Sequence, residues 1–233
     1  MKKILSFVVA VVFLALVASP PARADDRSDD ISRIRISRDV FHELMQTPDK
    51  SIPNELLESA KCIAIIPGEL KAAFVFGARY GKGLATCRTH DGWSAPVFLT
   101  IGGGSFGFQI GGSSTDLVLI FRNREGFQRL LSDKFKIGAD ATAAAGPVGR
   151  HTAAATDLEM HAEILTYSRS RGVFAGVSLD GAVVAPDHSG DRAMYGKGVS
   201  RADILDGRVA VPRVAEPLVS EIQRDTAEAR ANG

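Results

Sequence analysis

The sequence predicts an α+β domain, a curled antiparallel sheet or barrel of many short strands with helices at both ends. Three observations carry that expectation. The stretch Val97–Phe121 has two apolar arms around a centre holding Gly102, Gly103, Gly104, Gly107, Gly111 and Gly112. Its arms are β-branched and aromatic, and glycines inside such sequence mark bends, bulges or close approaches of another backbone. Further short apolar runs lie on either side of it, separated by turn residues. Helical spacing appears chiefly toward the two ends.

In chain order, residues 1–24 read as a secretory signal. Lys2 and Lys3 precede the apolar run Ile4–Ala18, and Ala22-Arg23-Ala24 supplies an A-x-A cleavage site. The expected product begins near Asp25 and is exported, periplasmic or secreted. Losing Lys2, Lys3 and Arg23 leaves 25 basic against 27 acidic residues, a balance that argues against a general nucleic-acid binder. Residues 25–233 suffice for one domain with a substantial core, and no linker divides them.

Ile31–Met45 has helical periodicity, with Ile34, Val40, Phe41, Leu44 and Met45 sharing half of the wheel. Arg33 and Arg38 intrude on that half. The helix either docks on the core or, through Arg33, Arg35 and Arg38, contacts a membrane surface. Thr47-Pro48 ends it, and Pro53–Ala60 predicts a second, short helix.

Strands are expected at Cys62–Ile66, Ala72–Arg79 and Leu84–Arg88, with Tyr80-Gly81-Lys82-Gly83 turning a hairpin between the last two. From Lys61 to His90 five basic residues, Lys61, Lys71, Arg79, Lys82 and Arg88, face only Glu69. That segment is either a solvated strand surface or a patch for an anionic headgroup. The tight turn would bring Arg79 and Lys82 together at one tip, with Arg88 on the returning strand and Lys71 nearby. Cys62 and Cys87 are the only cysteines, both in strand-like sequence. An exported chain permits a disulfide between them, the other arrangement being two separate buried thiols.

Two catalytic patterns fall within the glycine-rich centre. Gly102-Gly103-Gly104-Ser105-Phe106-Gly107 fits G-x-G-x-x-G, and Gly103–Gly107 fits G-x-S-x-G with Ser105 as nucleophile. Both chemistries need a helix directly after the motif. The apolar sequence from Phe108 to Phe121 continues as strand, so neither is expected to operate, although His151, His161 and His188 follow.

After Arg124–Leu131, which has helical spacing, Gly138–Arg150 is small in side chain. It provides either close backbone packing or room for an apolar ligand. Asp157, Glu159, His161 and Glu163 alternate with apolar residues, giving one polar strand face; no metal or other cofactor is expected. Ile164–Ser168, Gly172–Leu179 and Ala182–Ala185 supply further strands. Past Pro186 the chain is polar and helical, with helices at Arg201–Leu205 and Pro217–Ala229.

The motifs Cys62-Ile-Ala-Ile-Ile-Pro67, Tyr80-Gly-Lys-Gly83, Trp93-Ser-Ala-Pro96, Gly104-Ser-Phe-Gly-Phe-Gln-Ile-Gly111, Gly146-Pro-Val-Gly-Arg150 and Thr166–Gly172 recur in a characteristic order and spacing. With Phe174–Gly181 and Tyr195-Gly196, they make the chain resemble the SYLF-domain family over residues 31–196, with a polar helical extension at 197–233. The resemblance implies a non-enzymatic lipid-binding module, with phosphoinositide and anionic phospholipid binding in eukaryotic relatives and actin binding in yeast ones. The signal identifies this chain as similar to a bacterial, exported, stand-alone form. Its expected partner is therefore an anionic phospholipid of the envelope, and actin is not expected. A structural or protein-interaction module of the envelope is the alternative, and a serine hydrolase using Ser105 the third reading.

Overall fold

The computed structural model describes residues 26–46, 52–74, 76–106, 111–147, 161–170 and 173–232. The predicted signal at 1–24 lies outside them. Helix α1 (Asp26–Met45) and short α2 (Asn54–Ser59) lead into β1 (Cys62–Phe74), β2 (Phe76–Thr89), β3 (Gly92–Trp93), β4 (Val97–Phe106) and β5 (Gly111–Phe121). Then come α3 (Arg124–Leu131), β6 (Phe135–Lys136), β7 (Ala143–Ala145), β8 (Ile164–Ser170), β9 (Val173–Gly176) and β10 (Val183–Pro186). Helices α4 (His188–Tyr195), α5 (Arg201–Leu205) and α6 (Glu216–Asn232) close the chain.

The strands form one curled sheet in the order β6-β10-β4-β2-β1-β5-β8-β7, with β3 added to β2 and β9 to β8. Every pairing between named strands is antiparallel except β7 with β8, which is parallel. The α+β expectation holds, with one sheet and helices at both ends.

Two core layers follow from strand alternation. Ile63, Ile65, Leu84, Phe98, Val118, Ile120 and Tyr167 face one side, where α1, α2 and α6 cover them with Ile34, Phe41, Leu44, Leu57 and Leu218. Ala64, Ile66, Ala85, Leu99, Leu117 and Phe121 face the other, against Leu130 of α3, Phe135 of β6 and Ile204 and Leu205 of α5. Both faces of the central strands are thus buried, which explains why their sequences run apolar without clean alternation.

The strands are longer than the sequence predicts. β1 runs unbroken through Pro67-Gly68, where a bulge shifts its register against both β2 and β5. The Gly68 N–H there reaches Asp116 at 2.8 Å. Consequently the expected hairpin at Tyr80–Gly83 is absent: these residues lie inside β2, paired with Gly102–Leu99 of β4. The glycines have another purpose. A Cβ on Gly83 would lie 2.3 Å from the Ile65 carbonyl oxygen, so only glycine permits the approach.

The small residues before position 147 pack closely, as one of the two readings had it. A Cβ on Gly146 would fall 2.1 Å from the buried Tyr167 ring. Gly102–Phe106 is strand, and the next described element is β5, so neither glycine motif opens a helix. Ser105's side chain and His151 lie outside the described residues, as do Asp157 and Glu159. Glu163 pairs with Arg129 at 3.6 Å, and among the described residues no three His, Cys, Asp or Glu side chains form a metal cluster.

Candidate functional site: an arginine-rimmed cleft

The cationic strand residues do not converge. Lys71 and Arg79 are directly opposite across β1 and β2, and both lean on Glu69, which is fully buried. Lys71 Nζ and Arg79 Nε each lie 3.5 Å from its carboxylate, and the Thr115 hydroxyl donates to it at 3.2 Å. Lys82, three positions from Arg79 on a strand, points to the opposite face and lies 3.7 Å from Asp187. Arg88 is consumed at the end of α2. Its guanidinium donates to the carbonyls of Ala60, Leu57 and Glu58 and stacks 5.0 Å from the Trp93 ring centre, and burial pulls its pKa down. The expected hairpin tip joining Arg79 and Lys82 does not form, and Arg79, Lys82 and Arg88 occupy three separate structural environments.

Helix α1 separates the arginines that the sequence grouped. Arg33 is buried, so it does not meet a membrane. It holds Asp30 at 3.0 Å and Asp187 at 3.2 Å and lies over the Phe98 ring at 5.3 Å. Two carboxylates and an aromatic face explain how an arginine occupies the apolar half of the helix. Asp187 also caps α4 by accepting the Gly190 N–H at 3.2 Å.

Burial alone would raise the Asp187 pKa, but the Ser189 hydroxyl, the Gly190 amide, Lys82 and Arg33 outweigh it and hold the group below the ordinary carboxylate value. A depressed folded-state pKa adds stability that is complete above the unfolded value and disappears as pH falls through the folded one. Asp187→Asn should therefore flatten the acid limb of stability below about pH 4, read as urea midpoint against pH. An unchanged acid limb would contradict the assignment.

Arg35 and Arg38 point outward, on the flank of α1 facing the chain that leads into α6. There they meet Arg213, and the three rim a cleft of about 560 Å³. Ile34 and Leu218, both fully buried, supply an apolar floor with Val214 and Pro217. Asp39 is the single acid on the lining, and Arg38 is partly satisfied by Glu221 at 3.4 Å. Among the described residues, Arg35 and Arg213 have no carboxylate partner. Two uncommitted guanidiniums above an apolar floor match a ligand that is anionic at one end and apolar at the other.

Arg35 and Arg38 were visible as candidates in the sequence. Arg213 was not, because only the packing of the C-terminal region onto α1 brings it within reach. A second cleft, of about 530 Å³, contains Lys61, Arg88, His90 and Arg208. Arg88 is already engaged, and Arg208 pairs with Asp203 at 2.7 Å and Asp206 at 2.8 Å. It has less free positive charge.

Residues 102–225 match the family model Ysc84, described as Las17-binding protein actin regulator. Protein YSC84 of Saccharomyces cerevisiae is 36% identical over 175 residues, 73% of this chain and 37% of that protein. SH3 domain-containing protein PJ696.02 of Schizosaccharomyces pombe is 38% identical over 173 residues, 72% of this chain and 40% of its own length. The human SH3 domain-containing YSC84-like protein 1 is 38% identical over 175 residues, 73% of this chain and 50% of its own. The chain thus spans half or less of these relatives.

Proposed function

Since the chain belongs to the Ysc84 family, the SYLF domain of the sequence analysis, we propose that it is a non-enzymatic phospholipid-binding protein of the bacterial envelope, acting after export. The observation that carries this reading is the cleft in which Arg35 and Arg213 stand uncommitted over an apolar floor. A phosphate-bearing headgroup takes the guanidiniums, and the first methylenes of its acyl chains take Val214 and Pro217, backed by the buried Ile34 and Leu218. Arg38 contributes the remaining positive charge, shared with Glu221. The ligand is an anionic glycerophospholipid, because its phosphate keeps the net negative charge that an attached choline or ethanolamine cation cancels in a zwitterionic headgroup.

The test is co-sedimentation with phosphatidylglycerol-containing against pure phosphatidylcholine vesicles, at low and high salt. Binding should favour the anionic vesicles and weaken with salt, since about 1 kcal/mol per basic residue is screened within a Debye length. Arg35→Gln with Arg213→Gln should lose about 2 kcal/mol, roughly thirtyfold in affinity, with thermal stability unchanged because both sites are exposed. Equal binding to the two lipids, or full binding by the double variant, would overturn the cleft as the headgroup site.

A further inference from the structure

Beyond the helix layer, β1, β2, β4 and β5 continue as a four-stranded extension whose one face carries no charge. Leu70 and Tyr80 form a direct cross-strand pair and are 59% and 53% exposed, the two most exposed large apolar residues described. After the bulge at Pro67-Gly68, strand alternation places Ala78 on the same face as Tyr80. Gly102 and Gly104 on β4 and Gly112 and Ser114 on β5 complete that face. The charged residues Glu69, Lys71 and Arg79 occupy the other face. The extension is therefore an amphipathic sheet.

Two features mark where the apolar face begins. Lys82, half-exposed, stands on its inner border, paired in register with Thr100. On α1, Glu43 pairs with Arg169, which holds Asp116, and Asp116 takes the Gly68 N–H. Ile36, 51% exposed, lies two helical turns before Glu43 on the same flank of α1.

We propose that this face docks the protein on a lipid bilayer at headgroup depth, a second contact that rests on the phospholipid-binding reading and adds to the cleft. A protein partner needs pockets in which its aromatic and arginine anchors are enclosed. This surface, built from alanine and glycine between larger residues, is of low relief, and its members line neither of the two clefts described above. An even apolar face bearing Leu70 and Tyr80, with a lysine on its border, matches the acyl boundary below a layer of anionic headgroups. The inner strands satisfy their backbone groups on both sides, but among the described residues β4 past Gly102 and β5 before Asp116 have no outer strand partner, which limits the sheet to interfacial depth.

The test uses the full chain carrying Tyr80→Trp, with phosphatidylcholine/phosphatidylglycerol vesicles and their bromine-labelled counterparts. The new indole should shift to shorter wavelength and be quenched by brominated lipid, above a constant background from Trp93, which is buried. Leu70→Ser with Tyr80→Ser should reduce vesicle affinity about tenfold or more at unchanged thermal stability. Unquenched Trp emission from protein that co-sediments with the vesicles would overturn the docking face and leave the cleft reading standing. Quenching that is equal on neutral and anionic vesicles would keep the face and overturn the anionic preference. Absence of co-sedimentation would overturn both. Conversion of a dimer to a monomer by Leu70→Ser with Tyr80→Ser would overturn the proposal by assigning the face to a second copy.

Discussion

Asp191→Ala is expected to destabilise the protein by about 3–5 kcal/mol, the usual cost of leaving one member of a buried ion pair alone. Asp191 receives the Phe98 N–H at 2.7 Å, and its other oxygen lies 2.7 Å from Arg201 Nη1. Arg201 in turn donates to the carbonyls of Phe98 and Leu130, at 2.8 and 2.9 Å. This pair ties α4 and α5 to β4 and to the end of α3. Burial pushes the Asp191 carboxyl up and the Arg201 guanidinium down, in each case against the pull of the partner.

Desolvation thus exceeds attraction for both groups, and a second result follows from the same physics. Asp191→Leu combined with Arg201→Met should cost less than the sum of the two single changes, because neither charge is then stranded. Urea unfolding with constant slope measures both. Additive losses would show that the two residues do not act as a pair.

Cys62→Ala with Cys87→Ala should cost about 3 kcal/mol, roughly 6–12 °C in Tm for a chain of this size. The two cysteines are joined across directly opposed positions of β1 and β2, 25 residues apart in sequence. Both are fully buried, so the loss reflects freedom returned to the unfolded loop more than any surface contact. Thermal unfolding of oxidised protein and of the double variant provides the comparison. A change below about 1 kcal/mol would assign the stability of these strands to packing and hydrogen bonds alone.

The cysteine pair was legible because both residues sit in apolar, β-prone sequence and no other cysteine competes. The helices were legible from periodicity, and Arg33's intrusion on the apolar half of α1 was visible, though not the Asp30 and Asp187 that justify it. The hairpin was misplaced because Gly81 and Gly83 look like turn residues, whereas Gly83 makes room for the Ile65 backbone. β1 ends at Phe74 and β2 begins at Phe76, and no glycine, proline, asparagine or aspartate stands between Ala72 and Phe76 in the sequence to signal that boundary. The bulge at Pro67-Gly68 changes which residues share a face; Pro-Gly reads locally as the end of a strand, not as a bulge within one. For the same reason the exposed Leu70–Tyr80 pair could not be foreseen. The cleft was half-legible: Arg35 and Arg38 belong to one helix, but Arg213 arrives through tertiary packing.

The packing of α1 against α6 also imposes an order on biogenesis. His42 of α1 meets Glu221 of α6 at 2.5 Å across 179 residues of chain. During synthesis, Ile34, Phe41 and Leu44 therefore wait for the last helix before their layer closes. Central hairpins can pair early, since their partners lie close in sequence, while the helical cover forms last and over the longest loop. A chain halted before α6 would leave bare the part of that apolar layer which α6 covers, a species prone to aggregate and a natural client for chaperones.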